Sequence, residues 1–284
     1  MIEKTVLFHF LEESFPGMEA NIARCEPMGF PWKSRPFLKE EKGEIVSHVG
    51  LLEYLMWIEG KWHKAGALHA ICTKKDCRGQ GLASELVRET LKWCQNRYTF
   101  VILFTEIDSF YEKLGFTSVQ EYRFRMVCKK GKGTLPLYPL VSPKDDVLLQ
   151  KCFQNRHPLS NRLWVKDDGT IASYNTLFAT YPVFWSLHYS PSIDGILSFT
   201  LENKTLHLFD VIAHRIPSLD TILDHLPEEI EEIFFYFSPD RLTDAAAAEP
   251  LSYDKKTMDF SGFLMVHGNW PSVRPFMIPP LSRC

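Results

Sequence analysis

The sequence has no CxxC pair, no excess of basic charge and no long uninterrupted apolar run. Its seven cysteines are scattered, which favours free thiols in a reducing compartment over a disulfide framework. Lys and Arg total 32 against 35 Asp and Glu, and no basic stripe alternates with aromatic residues, so no nucleic-acid partner is expected. No segment approaches the ~20 apolar residues that would span a bilayer, and the N-terminus has no signal-peptide core. We expect a cytoplasmic protein without a membrane partner.

A metal site is also not expected. His63, His69, Cys72 and Cys77 lie close together in the sequence. Their spacing fits none of the zinc templates, and we expect His69 and Cys72 to face opposite sides of one strand. We therefore interpret them as strand and loop residues.

The patterning of the first half predicts a hairpin followed by a helix and further strands. Residues 45–58 and 61–72 are rich in apolar, β-branched and aromatic side chains around a Glu-Gly turn, which predicts an antiparallel pair. After the loop TKKDCRGQG, apolar residues recur at helical spacing over residues 82–97. We expect strands at residues 100–104 and 122–128, the second of which would close this unit.

The second half partly repeats this order of elements. Residues 129–145 contain four Lys, two Gly and three Pro, a composition typical of a linker. The pattern beyond it predicts helices at 147–153 and 218–226 and strands at 169–178, 195–201, 205–213 and 233–237. We expect the Pro-rich end, residues 270–284, to be extended over the surface. The fold class is α/β (α+β).

The stretch Arg78-Gly79-Gln80-Gly81-Leu82-Ala83 has the features of a phosphate loop. It precedes a long amphipathic helix, whose first backbone N–H groups lack intrahelical partners and whose dipole favours an anion. A Walker A loop is absent, and the dinucleotide fingerprint is incomplete because only GxG is present. A glycine-rich turn that merely begins a helix is the remaining alternative.

Residues 45–116 as a whole resemble the GNAT acetyltransferase superfamily. Its coenzyme A loop, Gln/Arg-x-x-Gly-x-Gly/Ala, is matched by Arg78, Gly81 and Ala83, and its FYxxxGF segment is matched by Phe110 to Phe116. The long hairpin resembles the enhanced intracellular survival branch, which carries a second GNAT-like domain. The resemblance implies two tandem GNAT-like domains, each a mixed, mostly antiparallel sheet flanked by helices. Residues 1–130 would be catalytic, 131–145 a linker, and 146–284 a degenerate domain without a coenzyme A loop.

The resemblance also implies a site for acetyl-CoA. The strand before the loop would offer its backbone to the pantetheine arm, the loop and first helical turn would hold the pyrophosphate, and the end of the next strand would lie beside the cofactor. The strand residues are Ile71, Cys72 and Thr73. The residues of the loop and the first helical turn are Arg78, Gly79, Gln80, Gly81, Leu82, Ala83 and Ser84. The residues at the end of the next strand are Glu106 and Ile107.

The chemistry of acyl transfer needs donors for an oxyanion and for the departing thiolate. A backbone N–H at Cys72 or Thr73 is the candidate for the oxyanion. Tyr111 aligns with the tyrosine that this family uses as general acid, and its pKa would fall if Lys113 or Arg125 lay nearby. The alternative role for Tyr111 is packing of the helix against the sheet.

The base and the acceptor pocket stay open at the level of sequence. Glu53, Glu106 and Asp108 are alternatives for the base, and a role for the Cys284 carboxylate is in doubt because the third domain of longer relatives is missing. Four aromatic residues could line an acceptor pocket or simply pack in the core: Phe30, Trp32, Trp57 and Trp62. Phe30 and Trp32 are the best placed, because the acceptor-side helices of GNAT domains usually fall at this point of the chain.

These observations predict an N-acetyltransferase that moves an acetyl group from acetyl-CoA to a primary amine of a small molecule or a lysine. The alternative is a coenzyme A-binding sensor or assembly module without turnover. Exposed strand edges would allow a homo-oligomer, and the sequence does not identify the acceptor amine.

Overall fold

The structure is a computed structural model that describes residues 4–141, 143–177, 187–252, 262–272 and 274–284. In these ranges the helices are α1 (Lys4–Ser14), α2 (Met18–Cys25), α3 (Leu82–Cys94), α4 (Asp108–Glu112), α5 (Asp146–Gln154), α6 (Thr170–Leu177) and α7 (Leu219–Leu223). The strands are β1 (Arg35–Glu41), β2 (Glu44–Ile58), β3 (Lys61–Thr73), β4 (Phe100–Thr105), β5 (Thr117–Val119), β6 (Tyr122–Lys130), β7 (Tyr138–Pro139), β8 (Leu163–Lys166), β9 (Leu187–Ser190), β10 (Gly195–Glu202), β11 (Thr205–Ala213), β12 (Ile230–Phe235), β13 (Ala247–Pro250) and β14 (Phe263–His267).

The strands form two seven-stranded, mostly antiparallel sheets. The first has the order β1-β2-β3-β4-β14-β5, and β8 pairs with the free end of β2. The second has the order β13-β6-β12-β11-β10-β9-β7. Each contains one parallel pair, β3 with β4 and β11 with β12, and each pair is joined by a helical crossover. The predicted hairpin, the helix α3 and the repeated strand–helix–strand order are therefore present.

Each sheet contains a strand from the opposite half of the chain, next to the strand that follows its helical crossover. In the first sheet β14 pairs with β4, and in the second sheet β6 pairs with β12. The strand expected at residues 122–128 to close the first unit thus lies in the second sheet, and a C-terminal strand takes its place. Leu264, Met265 and Val266 are all buried in β14, as expected for a strand covered on both faces. The domain limits stay a prediction, and sheet membership does not follow the predicted boundary at residue 130.

The strand predicted at residues 169–178 is wrong, because residues 170–177 form the helix α6. The carboxylate of Asp167 accepts hydrogen bonds from the backbone of Ile171 and Ala172 at 3.3 and 3.1 Å. Asp168 accepts the N–H of Thr170 at 3.2 Å. These two carboxylates accept the N–H groups of the first helical turn and stabilise the start of a helix where the sequence had indicated a strand. Residue 178 lies outside the described residues.

The Pro-rich end is also not a surface segment. Phe276, Met277, Ile278 and Leu281 are at most 3% exposed, and the hydroxyl of Tyr54 donates to the Ser282 carbonyl at 2.9 Å. The tail fills the space against one face of the first sheet, since its prolines are spaced by large apolar residues that gain free energy from burial.

The predicted linker is held to the second half. The backbone N–H groups of Gly133 and Leu135 donate to the carbonyls of Leu226 and Asp224 at 2.8 and 2.9 Å, and β7 within this segment pairs with β9. Its prolines and glycines prevent a helix or a central strand, but they leave enough N–H groups to attach it to a neighbour.

The two faces of the first sheet have different coverings. One face packs against α3 and α4 through a cluster that includes Leu68, Leu86, Val87, Tyr111 and Met265. The opposite face carries the C-terminal tail at one end and α1, α2 and α6 at the other. The carboxyl ends of β3 and β4 lie between these coverings and form the edge where the predicted site residues meet.

Candidate functional site

The strands β3 and β4 separate where the predicted cofactor site begins. Their parallel pairing in the described structure covers only Ala65–Ala67 against Phe100–Ile102. Residues Leu68–Thr73 continue along β2, while Leu103–Thr105 continue along β14. The edge of β3 that faces β4 therefore offers backbone N–H and C=O groups without a strand partner, and these groups include Ile71, Cys72 and Thr73.

A bulge in β3 lies at the start of this separation. Gly50 of β2 faces His69, whereas His48 faces Cys72, so the register shifts between these pairs. Ala70 has a φ of 47°, which is the left-handed region. Beyond the bulge, Ile71 packs in the cluster under α3 and Cys72 in the cluster that includes α1. The extra residue places Cys72 on the same face as His69, whose ring contacts Trp32 of that cluster, so the expectation that these two side chains face opposite sides of the strand is wrong.

The predicted phosphate loop is exposed and open. Gly79 and Gly81 have φ of 80° and 83°, and a Cβ at either position would meet nothing within 4 Å. Glycine is therefore required here by the backbone conformation, and not by a close protein neighbour. Arg78 is anchored to the end of β3, because its Nε donates to the Thr73 carbonyl at 3.1 Å.

The N-terminus of α3 has no side-chain cap. Gly81 is its N-cap residue, and the first turn contains Leu82, Ala83 and Ser84. The opening N–H groups of a helix lack intrahelical partners. They form the positive end of the helix dipole and are available to bind an anion. Gln80 is exposed in the same loop.

Tyr111 lies on α4 and is 9% exposed. It belongs to the cluster that also contains Leu86 and Val87 of α3 and against which Ile71 packs. Burial raises its pKa to about 12. The cation-lowered pKa that the sequence allowed is absent: Arg125 lies on β6 of the second sheet, paired with Glu232, and Lys113 is an exposed residue. Tyr111 is therefore a protonated hydrogen-bond donor over the physiological pH range.

The end of β4 brings two more predicted residues to this edge. Glu106 and Ile107 follow the strand directly and are exposed, Ile107 at 63%. The N–H of Ile107 donates to the Thr105 hydroxyl at 3.0 Å as α4 begins. The structure therefore brings Ile71–Thr73, the loop with α3, residues 106–107 and Tyr111 to one edge of the first sheet.

An aromatic cluster lies beside the bulge on the face opposite Tyr111. The ring of Trp32 contacts those of Phe8, His69 and Tyr174 at centroid distances of 6.1, 5.4 and 5.1 Å. His69 Nε2 is 2.7 Å from the Ser34 hydroxyl, and burial lowers the pKa of His69. Of the four aromatic residues proposed for an acceptor pocket, Trp32 is the one that reaches this position.

The other three aromatic candidates lie elsewhere. Phe30 is 1% exposed and belongs to the core. Trp57 and Trp62 pack against each other at 5.3 Å, and Trp62 contacts Trp164 at 5.9 Å at the far end of the hairpin. At ~3.3 Å per residue along β3, Trp62 is roughly 35 Å from Thr73.

Two candidate bases are also placed away from the site. Glu53 forms an ion pair with Lys64 at 2.7 Å and lines a cavity of about 380 Å³ at the sheet edge, beyond the start of β1. Cys284 packs against the buried cluster that contains Tyr54, on the opposite face of the sheet from the cluster of Tyr111, and burial raises the pKa of its thiol to about 12. Asp108 makes a local bond, accepting the Ser109 N–H at 2.7 Å.

The corresponding crossover of the second half is closed to an anion. Ser218 caps α7, accepting the Thr221 N–H at 3.2 Å, and the segment VIAHRIPSLDTIL contains no glycine. The helix has only five residues. The lack of a coenzyme A loop in the second half stays a prediction.

Two histidines lie near the bulge: His48, which no sequence pattern singled out, and His69, which the sequence raised only as a metal ligand. Burial lowers the pKa of His48 to about 4, and its Nδ1 is 2.7 Å from the Ala70 carbonyl. Their positions in the hairpin were visible, but the register shift that makes them neighbours was not. Within the described ranges, no group of three or more His, Cys, Asp or Glu is arranged to hold a metal, and none of the described helices is long and apolar enough to cross a membrane.

Comparison with known proteins agrees with this geometry. Residues 8–119 match the family model of the acetyltransferase (GNAT) domain. No curated protein sequence matches the chain.

Solved structures extend the likeness to nearly the whole chain. A probable N-acyltransferase from Enterococcus faecalis V583 has a TM-score of 0.55 at 12% identity, covering 94% of this chain and 70% of its own. Eis1 from Mycobacterium abscessus has a TM-score of 0.52 at 14% identity, with 90% and 71% covered. A GCN5-related N-acetyltransferase from Anabaena variabilis ATCC 29413 has a TM-score of 0.54 at 14% identity, with 92% and 69% covered. At these identities the likeness shows the fold, two tandem GNAT-like halves.

Proposed function

We propose that this GNAT domain uses acetyl-CoA to acetylate a primary amine of a small molecule or a lysine side chain by direct attack on the thioester. The observation that carries the proposal is the separated end of β3 and β4 beside the uncapped N-terminus of α3. A site built for structure alone would fill such a gap with side chains and cap the helix, as Ser218 does in the second half.

The residues present fit the pyrophosphate and pantetheine of acetyl-CoA. The loop from Gly79 to Ser84 would hold the pyrophosphate through backbone N–H groups, with room left by both glycines. The amide groups of pantetheine need an extended partner with alternating donors and acceptors, and the free edge of β3 at Ile71–Thr73 supplies one. When bound, acetyl-CoA supplies the activated acyl group.

The chain would contribute two hydrogen-bond donors to the acyl transfer. A backbone N–H at Cys72 or Thr73 would stabilise the charge on the thioester oxygen, and the Tyr111 hydroxyl would donate to the departing sulfur. With a pKa of about 12 for Tyr111 and ~8.5 for an alkyl thiol, full proton transfer is uphill by ~3.5 units, about 5 kcal/mol. Tyr111 would therefore act as a hydrogen-bond donor, and the proton that the thiolate gains would be the one that the attacking amine loses, carried through solvent.

The acceptor would approach from the face with the aromatic cluster. Trp32, Phe8 and Tyr174 present aromatic rings next to the bulge, a surface that suits the apolar stem of an amine and its cationic head. Glu13 is an exposed residue in the last turn of α1, and it is the carboxylate that we propose attracts the amine to this face.

A coenzyme A sensor without turnover is the second candidate. It is favoured by the high pKa of Tyr111, because an enzyme that used this residue as an acid would be expected to lower that pKa. The Tyr111→Phe variant separates the two functions: a sensor would keep both binding and its conformational response, whereas an enzyme would lose turnover.

The first experiment is thermal unfolding with and without acetyl-CoA, in wild type, Gly81→Glu and Gly43→Glu. Gly43 is a matched control, since its φ is 84° and it too has open space around it, but it lies in the turn between β1 and β2. At 100 times the dissociation constant, the ligand should stabilise wild type and Gly43→Glu by about 2.7 kcal/mol. Gly81→Glu should show no shift, because its carboxylate occupies the anion site.

A positive binding result leads to an amine panel with thiol release as the readout. Release that depends on the amine would support the enzyme, and binding without release by any primary amine would support the sensor. No shift with wild type at millimolar acetyl-CoA would contradict both.

A further inference from the structure

The bulge in β3 needs a contact that holds it. If the register of Gly50 with His69 continued, His48 would face Ile71; it faces Cys72, so β3 carries one extra residue. Ala70, with φ of 47°, is that residue. A left-handed conformation costs an alanine about 1–2 kcal/mol, and it persists only where the surroundings enforce it.

His48 makes the contact. Its Nδ1 is 2.7 Å from the Ala70 carbonyl oxygen, and because a carbonyl only accepts, Nδ1 must carry the proton. The side chain is fully buried, and burial keeps its ring neutral at pH 7. The imidazole is therefore a fixed N–H donor directed at the carbonyl of the extra residue, which a bulge leaves without a ladder partner.

A second histidine fixes the residue before the bulge. His69 lies across Gly50, where a Cβ would come within 2.5 Å of its Nε2, and its ring bonds to Ser34. The absence of a side chain at Gly50 makes room for this ring. The extra residue is thus held on both sides, by His48 through its carbonyl and by His69 through the preceding side chain.

The bulge decides which groups of β3 face the cofactor groove. A shift of one residue moves every following side chain to the other face of a sheet. With the bulge, Ile71 packs in the cluster of Tyr111 and Cys72 packs on the opposite face. Without it, these two residues would exchange faces, and the backbone N–H groups at the open edge would change with them.

We propose that His48 is a positioning residue for acyl transfer, because its hydrogen bond to the Ala70 carbonyl holds the bulge that directs the N–H of Cys72 or Thr73 at the thioester oxygen. The inference rests on the proposed function. His48 itself does not touch the cofactor, and it acts through the conformation of β3.

The test compares His48→Leu with His48→Asn in the full chain. Leucine fills similar volume without a donor, whereas the Asn side-chain amide places an N–H where the imidazole Nδ1 was. His63→Leu is a control, since His63 is a half-buried residue of the bulged strand β3, near the end distant from the bulge. Three quantities are measured: acetyl-CoA affinity by calorimetry, the carbonyl ¹³C shift of bound [1-¹³C]acetyl-CoA, and thiol release with the fastest amine of a primary-amine panel.

We expect His48→Leu still to bind acetyl-CoA, because the pyrophosphate contacts are intact, but more weakly than wild type, because the pantetheine contacts along Ile71–Thr73 change with the bulge. Its thiol release should fall by roughly 10–100-fold, the effect of a displacement of about 1 Å at a reacting group, and the ¹³C shift seen in wild type should be lost. His48→Asn should recover both, and His63→Leu should behave as wild type.

Several results would overturn the inference. A folded His48→Leu with wild-type ¹³C shift and turnover would do so, as would a folded His48→Asn as impaired as the Leu variant. In the free protein, ¹⁵N NMR must show His48 protonated at Nδ1; the opposite tautomer would remove the hydrogen bond. If wild type does not bind acetyl-CoA, the proposed function falls as well, whereas binding with an unaffected His48→Leu refutes only the role of His48.

Discussion

Replacement of Met265 by alanine should destabilise the first sheet and the helices α3 and α4 that pack on it, although Met265 lies in the C-terminal strand β14. Its side chain is fully buried in the cluster that contains Leu86 and Val87 of α3 and Tyr111 of α4. Truncation of a buried methionine to alanine costs about 2–5 kcal/mol. That is a large part of the 5–15 kcal/mol that usually separates folded from unfolded states.

The assay is urea unfolding followed by tryptophan fluorescence, with and without acetyl-CoA. Because each sheet contains a strand from the other half, we expect one transition, and Met265→Ala should move its midpoint down without changing its slope. Val127→Ala on β6 is the control, since Val127 is 70% exposed and should change stability by less than about 0.5 kcal/mol.

Two outcomes would refute this reasoning. A loss below about 1 kcal/mol for Met265→Ala would mean that β14 does not complete the core under α3. A separate early transition for the second half, with the acetyl-CoA response retained by the first, would mean that the two sheets unfold independently.

Three further predictions concern the candidate site and the residues that support it. Tyr111→Phe should lower thiol release by about 10²-fold, the low end for loss of one transition-state hydrogen-bond donor, with unchanged acetyl-CoA affinity by calorimetry; equal turnover would remove Tyr111 from the mechanism. Gly262→Ala should destabilise more than Gly43→Ala in urea titrations, because both have positive φ but only the Gly262 Cβ would meet the Thr105 backbone, at 2.5 Å. For His48 the folded pKa of about 4 lies below the ordinary 6.5, so its contribution is complete above pH 6.5 and lost as pH falls towards 4. Relative to His48→Asn, wild type should lose about 3 kcal/mol over that window; parallel pH–stability curves would contradict this.

Local signals in the sequence predicted the elements that carry the candidate cofactor residues. The hairpin, the RGQGLA loop and the FYEKLGF segment each depend on contacts between residues close in the chain. In the structure they appear as β2–β3, the uncapped start of α3 and the helix α4. Residues 71–73, 78–84, 106–107 and Tyr111 therefore reach one edge from short-range patterns alone.

The acceptor side depended on long-range contacts and was predicted poorly. Of the four aromatic candidates only Trp32 is beside the bulge, and its partners Phe8 and Tyr174 come from α1 and α6. The helix α6 was predicted as a strand, because the capping role of Asp167 is visible only once the next turn has formed. No local pattern indicates which distant element will cover a strand.

The sequence by itself determined the alternation of strands and helices and the chemistry of the phosphate loop, because hydrophobic periodicity and turn residues act over a few positions. Only the tertiary structure decided which strands share a sheet. Exchange of β6 and β14 between the sheets, burial of the Pro-rich tail and the extra residue at Ala70 each depend on the total surface that distant segments bury together. The total buried surface is a property of the whole chain. A short window of sequence does not include the distant segments, so it cannot show which strand pairing buries the most surface.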